Sequence, residues 1–379
     1  MLRISSSFDA GAIEVRALER ADDIRLGLRA DQGVHGDSSF RQWFYFRLQG
    51  GAGQALRMVF ENAADAAYPD GWPDYRCVAS YDRRHWFRVE TTRYENGQLI
   101  VEHTPTQDSI YYAYFEPYSH ERHLDLVAWA AQQPGVKLES LGGTIDGRDL
   151  DLITVGEGAG KPVVWITARQ HPGETMAEWF VEGLLERLLD GADPVARRLR
   201  EQAVFHIVPN MNPDGAFRGN LRTNAAGRNL NREWMQPSLE ASPEVFLTRA
   251  AMEARGVDFY LDVHGDESLP HVFFSTAEEV PGFSDLQRER QARFVEAFLA
   301  ASPDFQTRVG YLPGRFEDEL LTLASKWVAY RFGCVSITLE MPFKDSADLP
   351  NPATGWDGAR SKRLGAAILQ ALLRHVEGR

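Results

Sequence analysis

His171-Pro172-Gly173-Glu174 sets a histidine and a glutamate three positions apart. An apolar, strand-like run at 162–168 precedes them. A stretch at 174–189 follows, with Trp179, Phe180, Leu184, Leu185, Leu188 and Leu189 recurring at the three- and four-residue steps of a helix. At such a strand-to-helix corner both side chains can point into one space. Imidazole nitrogen and carboxylate oxygen are good zinc ligands, and a catalytic zinc takes three protein ligands and keeps a fourth position open. Taken alone, the pair also fits a plain helix start, where the macrodipole favours a first-turn carboxylate. A third ligand is offered by His264, which ends the apolar run Phe259-Tyr260-Leu261-Asp262-Val263 and precedes Gly265. The end of a buried strand is where α/β sheets place their ligands. Asp262, two residues earlier, shares a strand face with His264. It suits either an acceptor that holds a ligating imidazole or a buried turn or helix-cap acceptor.

A polar, turn-rich stretch lies between these motifs: 210–215, 219–224 and 227–234. Function tends to collect on such loops. Arg222 and Arg232 supply planar forks that match carboxylates, and Asn231 adds an amide donor beside Arg232. Arg218 and Arg228 read as solvated surface charge. Among the remaining histidines, His206 sits within a strand and reads as core, and His271 is a reserve ligand. His35, His85, His103, His120, His123 and His375 have polar or charged neighbours and are expected in solvent. The segment 156–161 is similar to a phosphate-binding loop. The full pattern needs Gly where Val155 stands and Ser or Thr where Pro162 stands, so a surface turn between two strands is the better reading.

The elements that must position these residues fall into two groups. The first ~120 residues read as strands and turns: an aromatic run at 40–48, a hairpin with a charged turn at 81–89, an Asn96-Gly97 turn leading into 98–102, and a run at 109–115. No long helical periodicity interrupts them, so an all-β sandwich is expected, with its aromatics in the core and at a domain interface. From 123 a helix is expected, and then apolar strands at 150–155, 162–168, 203–209, 257–263 and 334–339 alternate with helical segments. That alternation predicts an α/β domain with a largely buried, mixed sheet. The division is therefore placed as 1–122 and 123–379. Of 379 residues, 54 are Asp or Glu and 41 Lys or Arg, a net charge of −13 that argues against a general nucleic-acid binder. No apolar run reaches the roughly 18 residues needed to cross a bilayer, and the start lacks the pattern of a signal peptide. The two cysteines, Cys77 and Cys334, cannot build a disulfide framework. A cytoplasmic protein without membrane or nucleic-acid partners is expected.

Taken in order, His171-x-x-Glu174, Asn212-Pro213-Asp214-Gly215, Asn231-Arg232, His264, and Glu340 within Thr338-Leu339-Glu340 resemble the signature of the M14 zinc metallocarboxypeptidases. His-Pro-Gly-Glu-Thr (171–175), Gly-Asn-x-Arg (219–222), Leu-Asn-Arg-x-Trp (230–234) and Thr-Leu-Glu-Met (338–341) resemble the cytosolic carboxypeptidase subfamily. That subfamily also carries a β-sandwich ahead of the catalytic domain, with a strand like Trp43-Phe44-Tyr45-Phe46, so the resemblance runs over nearly the whole chain. It implies a mixed-sheet α/β zinc carboxypeptidase domain and one zinc ion per chain, held by His171, Glu174 and His264. The substrate would be the C-terminus of a peptide or protein, its carboxylate gripped by Asn231 and Arg232. Arg222 would stabilise the oxyanion, and Glu340 would be base to the attacking water and then acid to the leaving amine. The family's mobile tyrosine is assigned to Tyr311, in a loop bounded by Gly and Pro, in preference to Tyr330. Lys326 stands about where the subfamily has an arginine facing the terminal side chain. A preference for acidic ends is thereby suggested, with an exposed lysine as the alternative. Two rival readings stay open: a related zinc amidohydrolase of small N-acyl amino acids or cell-wall peptides, and a catalytically silent peptide-binding module.

Overall fold

The structure, a computed structural model, describes residues 1–378. The N-terminal region is a sandwich of two five-stranded sheets. One runs Arg3–Ser5, Tyr45–Gln49, Ser109–Ala113, Val78–Ser80, Phe87–Arg88, and the other Thr92–Glu95, Gln98–His103, Leu56–Phe60, Ile24–Gly27, Glu14–Ala17. The aromatic stripes form its core, as expected: Phe44, Phe46 and Leu48 are fully buried, and the Phe44 ring lies 4.7 Å from that of Phe60 on the other sheet. The last sandwich strand ends at Ala113 and the first helix spans His120–Ala131. The change from strands to helices thus falls a few residues ahead of the division expected from sequence.

The second region is built on a seven-stranded mixed sheet in the order Val136–Gly143, Asp149–Val155, Val204–Val208, Val163–Ala168, Phe259–Asp266, Val335–Pro342, Phe273–Thr276. The four strands from Val204–Val208 to Val335–Pro342 are parallel, and the outer ones run antiparallel. Both faces are covered. Val164, Ile166, Leu261 and Leu339 pack toward Phe180, Leu184 and Ile368 of the helices Met176–Leu188 and Gly358–Glu377. Trp165 and Tyr260, opposite in register, pack toward Met252 and Val328 of Pro243–Arg255 and Ala324–Phe332. Two-sided burial explains why these strands read as continuous apolar runs. The helices Met176–Leu188 and Gly358–Glu377 cross closely because Gly365 lies against the Phe180 carbonyl, where a Cβ would come within 2.0 Å of the oxygen.

For the site, the register matters most. Ala168 pairs with Val263, and His264 pairs with Glu340. Three neighbouring parallel strands therefore deliver the His171 loop, His264 and Glu340 to one edge of the sheet.

Candidate active site

Glu174 is not in the first turn of its helix, as the sequence led us to expect. The helix starts at Met176, and Glu174 bends back to accept from Gly265 N at 3.2 Å. Its carboxylate lies 2.6 Å from His171 Nδ1 and 2.8 Å from His264 Nδ1, and the two Nδ1 atoms are 3.2 Å apart. This is a cluster able to hold a metal ion, and all three residues are buried. Zinc–donor bonds near 2.0–2.1 Å imply donors about 3.3 Å apart in a tetrahedron; the two nitrogens stand near that spacing with the carboxylate closer, and two imidazoles with one carboxylate fit zinc by donor chemistry. The remote nitrogens are engaged: His171 Nε2 at 3.0 Å from Asn229 Oδ1, His264 Nε2 at 2.8 Å from Asp262 Oδ2. Those oxygens accept, so each Nδ1 faces Glu174, and a metal ion bound there would take the place of any proton shared between them. Asp262 is thus the acceptor behind a ligating imidazole, the first of its two expected roles. It is fixed in turn by Thr167 Oγ1 at 3.0 Å and by Gln170 Nε2 at 2.6 Å, and Trp234 Nε1 holds Gln170.

The electrostatics suit a cation. Burial, with Arg222 nearby, pushes the His171 pKa down to about 4, so its ring is neutral and able to ligate. Burial also opposes charge on His264, yet Asp262 and Glu174 hold its pKa well above the usual histidine value. Burial would raise Glu174, and the two imidazoles outweigh it, so that its pKa lies far below the usual range.

A cavity of about 170 Å³ opens on this cluster. Glu340 faces it. Its Oε2 is buried and has no hydrogen-bond partner, and burial, opposed by His264 but reinforced by Glu174 and Asp266, pushes its pKa well up. The Tyr311 hydroxyl lies 3.1 Å from Glu340 Oε1 and 2.7 Å from Asp266 Oδ2, donating to one carboxylate at a time. Burial and those two carboxylates raise the Tyr311 pKa, so the phenol keeps its proton. Asn231 Oδ1 accepts from Ala324 N at 2.9 Å, which leaves its Nδ2 donors uncommitted among the described residues. Arg232 lines the cavity and donates through Nε to Glu319 Oε2 and through Nη1 to the Asn231 carbonyl at 2.8 Å. The Arg222 side chain is half-buried, and its guanidinium lies over the rings of Tyr68 and Phe40, 5.2 and 5.7 Å from their centroids. Lys326 is 3 % exposed and donates to the Thr276 carbonyl, so it is not the exposed lysine of the alternative reading. Burial lowers its pKa to about 8, against the pull of Glu279 and Glu278.

Eight of the nine expected site residues line one cavity, and the ninth, His264, joins His171 and Glu174 in the cluster beside it. Other expectations are corrected. His123 is buried, not solvated: it sits between Glu178 at 2.6 Å and Asp151 at 3.0 Å. His375 is also buried, against the Phe259 ring. His271 pairs with Asp348 at 2.7 Å and takes no part in the metal cluster. Arg228 is exposed, as expected, and pairs with Glu233, whereas Arg218 is only partly exposed and is paired with Asp146. Asn229, Gln170, Tyr68, Asp266 and Asp31 were not singled out from sequence. Asn229 sits in the loop that carries Asn231 and could have been noticed there, whereas Tyr68 and Asp31 come from the sandwich and carry no local signal.

Comparison with known proteins decides the family. A family model for zinc carboxypeptidase matches residues 124–355, and one for the cytosolic carboxypeptidase N-terminal domain matches residues 4–115. The chain belongs to the zinc carboxypeptidase family. An uncharacterised protein of Zymomonas mobilis is 48% identical over 376 residues, 99% of this chain and 97% of that one. Cytosolic carboxypeptidase 1 of Xenopus laevis is 28% identical over 72% of this chain, which spans only 26% of that longer protein. Among solved structures, a metallo-carboxypeptidase from Burkholderia cenocepacia superposes with a TM-score of 0.96 at 54% identity, covering 100% of both chains. A metallo-carboxypeptidase from Pseudomonas aeruginosa, in complex with (2-guanidinoethylmercapto)succinic acid, gives 0.93 at 44% identity and 98% coverage of both. The protein is a zinc metallocarboxypeptidase with a β-rich N-terminal domain. No helix among its described residues is long and apolar enough to cross a membrane.

Proposed function

We propose that this carboxypeptidase removes one residue at a time from the C-terminus of a peptide or protein and that Lys326 biases it toward acidic ends. The observation that carries the reading is the convergence of the His171–Glu174–His264 cluster, the unpartnered Glu340 oxygen and the Asn231–Arg232 donors on one cavity. Zinc held by the cluster supplies Lewis-acid activation of the scissile carbonyl and of water. Asn231 Nδ2 and the Arg232 fork bind the terminal carboxylate, which displaces the carboxylate of Glu319. Glu340 Oε2 takes the proton of the attacking water and gives it to the leaving amine. Arg222 donates to the oxyanion in a site shielded from water, and the protonated Tyr311 donates beside Glu340. Lys326, with Ser275 and Thr338 on the same cavity wall, meets the terminal side chain. A cytoplasmic setting belongs to the same reading, supported by the name of the cytosolic relatives.

The test is a digest of peptides ending in Glu, Leu or Arg, read by mass spectrometry before and after chelation. Release of single C-terminal residues that stops on chelation and returns with zinc supports the reading. Intact peptides alongside hydrolysed N-acyl amino acids would assign the site to a small-molecule amidohydrolase instead. Since Lys326 loses its charge as pH rises through about 8, the Glu-to-Leu ratio should fall over that range. In Lys326→Ala the ratio should be low and flat with pH. An unchanged ratio removes the acidic preference.

A further inference from the structure

We infer that Asp31, with the rings of Tyr68 and Phe40, positions Arg222, so that the N-terminal sandwich completes the catalytic site; this rests on the oxyanion role proposed for Arg222. Asp31 is 2 % exposed. Its Oδ1 accepts from Leu221 N at 2.6 Å, and its Oδ2 from Arg222 N at 2.8 Å, Thr223 N at 2.9 Å and Thr223 Oγ1 at 3.2 Å. Three successive backbone N–H groups of one domain thus converge on a single carboxylate of the other. Hydrogen bonds to an ionised acceptor are about twice as strong as neutral ones. The segment that carries Asp31 is docked on the same loop by further pairs: Gln32 N to Asn220 Oδ1 at 2.8 Å, and Val34 N to Ala225 O at 2.7 Å.

Arginine has four rotatable bonds and needs more than a fixed backbone to aim its fork. The sandwich supplies that as well, by placing two aromatic faces against the guanidinium. Such cation–ring contacts confine the guanidinium without using an N–H. The Arg222 guanidinium donates no hydrogen bond to any described residue, so its donors stay available for charge that develops on substrate. Displacement of such a group by about 1 Å can cost up to about a hundredfold in rate.

A double-mutant cycle on the full zinc-loaded chain tests this, with Asp31→Asn, Arg222→Ala and the combination. Arg222→Ala should lower kcat by roughly 10²–10³. Asp31→Asn should lower kcat by about tenfold, with KM within about twofold, one zinc per chain and a native melting profile. In the Arg222→Ala background it should cost less than about twofold, because the group it positions is gone. An Asp31→Asn enzyme with native kcat, or one whose loss is as large without Arg222, overturns the inference and leaves the function above intact. Full kcat in Arg222→Ala removes both the oxyanion role and the inference. If Asp31→Asn does not fold, Tyr68→Leu enters the same cycle with the same expected collapse of its penalty in the Arg222→Ala background, and an undiminished penalty overturns the inference equally.

Discussion

The cluster of His123 with Glu178 and Asp151 and the cluster of His171 and His264 with Glu174 are made from the same side-chain types and are both buried. They differ in where the protons go. Both ring nitrogens of His123 face carboxylates, and Arg169 Nη1 donates to the second oxygen of Glu178 at 2.6 Å. Both ring nitrogens of His123 and both oxygens of Glu178 are thus paired, and the cluster is closed. Burial opposes charge on His123, but Glu178 and Asp151 outweigh it and raise its pKa to about 9. In the other cluster, Asn229 and Asp262 occupy the outer nitrogens and two Nδ1 atoms are left facing one carboxylate. Beside it stands Glu340 with an unpartnered oxygen. A His–carboxylate cluster can serve as a metal site when two imidazoles share one carboxylate beside an open cavity, so that an ion can take the place of the shared protons.

The sharpest break in that contrast is Glu340→Gln. It should retain zinc and lose roughly 10²–10⁴ in kcat, as expected for removal of a general base; turnover near the native rate with zinc bound would strip Glu340 of its role. Next is His123→Gln, which should cost on the order of 3 kcal/mol of folding stability below about pH 6.5 while zinc content and kcat stay native. The sign follows from the raised pKa: the stabilisation is fully present below the unfolded value near 6.5 and is lost as pH rises through about 9. Denaturant midpoints across that range should therefore converge, and a constant gap would mean that His123 is not the charged member of a closed cluster. Asp262→Asn changes the acceptor behind His264 and should weaken zinc binding by about 10–100-fold with little loss of fold, measured by competition with a chelating dye. The smallest effect concerns Glu319, an exposed acid on the Arg232 fork. Glu319→Gln should lower KM by no more than a few-fold at constant kcat, and a rise in KM would show that Glu319 helps to bind substrate.

Most of the catalytic sheet was legible because strands buried on both faces leave continuous apolar runs, as at Val163–Ala168, where the expected strand and the observed one differ by a single residue. The metal ligands were legible for a related reason: a polar residue that ends such a run, like His264, has few structural excuses. The edge strand Val136–Gly143 was not read, since it alternates partly exposed residues and lacks that contrast. His123 was misread because its neighbours in sequence, Glu121 and Arg122, are polar, whereas the residues that bury it lie about 30 and 55 positions away. The helix was started two residues too early, at Glu174, because the pull of two imidazoles on its carboxylate has no trace in local propensity.

Residue chemistry and spacing along the chain were enough to determine the alternation of strands and helices and the sandwich ahead of them, and to single out His171, Glu174 and His264 as a candidate metal set. Only the tertiary structure decided which nitrogen of each histidine is free, that Glu340 keeps an open oxygen, and that Asp31 reaches across 190 positions to hold the loop of Arg222. Hydrophobic pattern is written locally, in the period of each element. Proton placement and the reach of one domain into another depend on atoms a few ångströms apart in space whose separation in sequence is unconstrained.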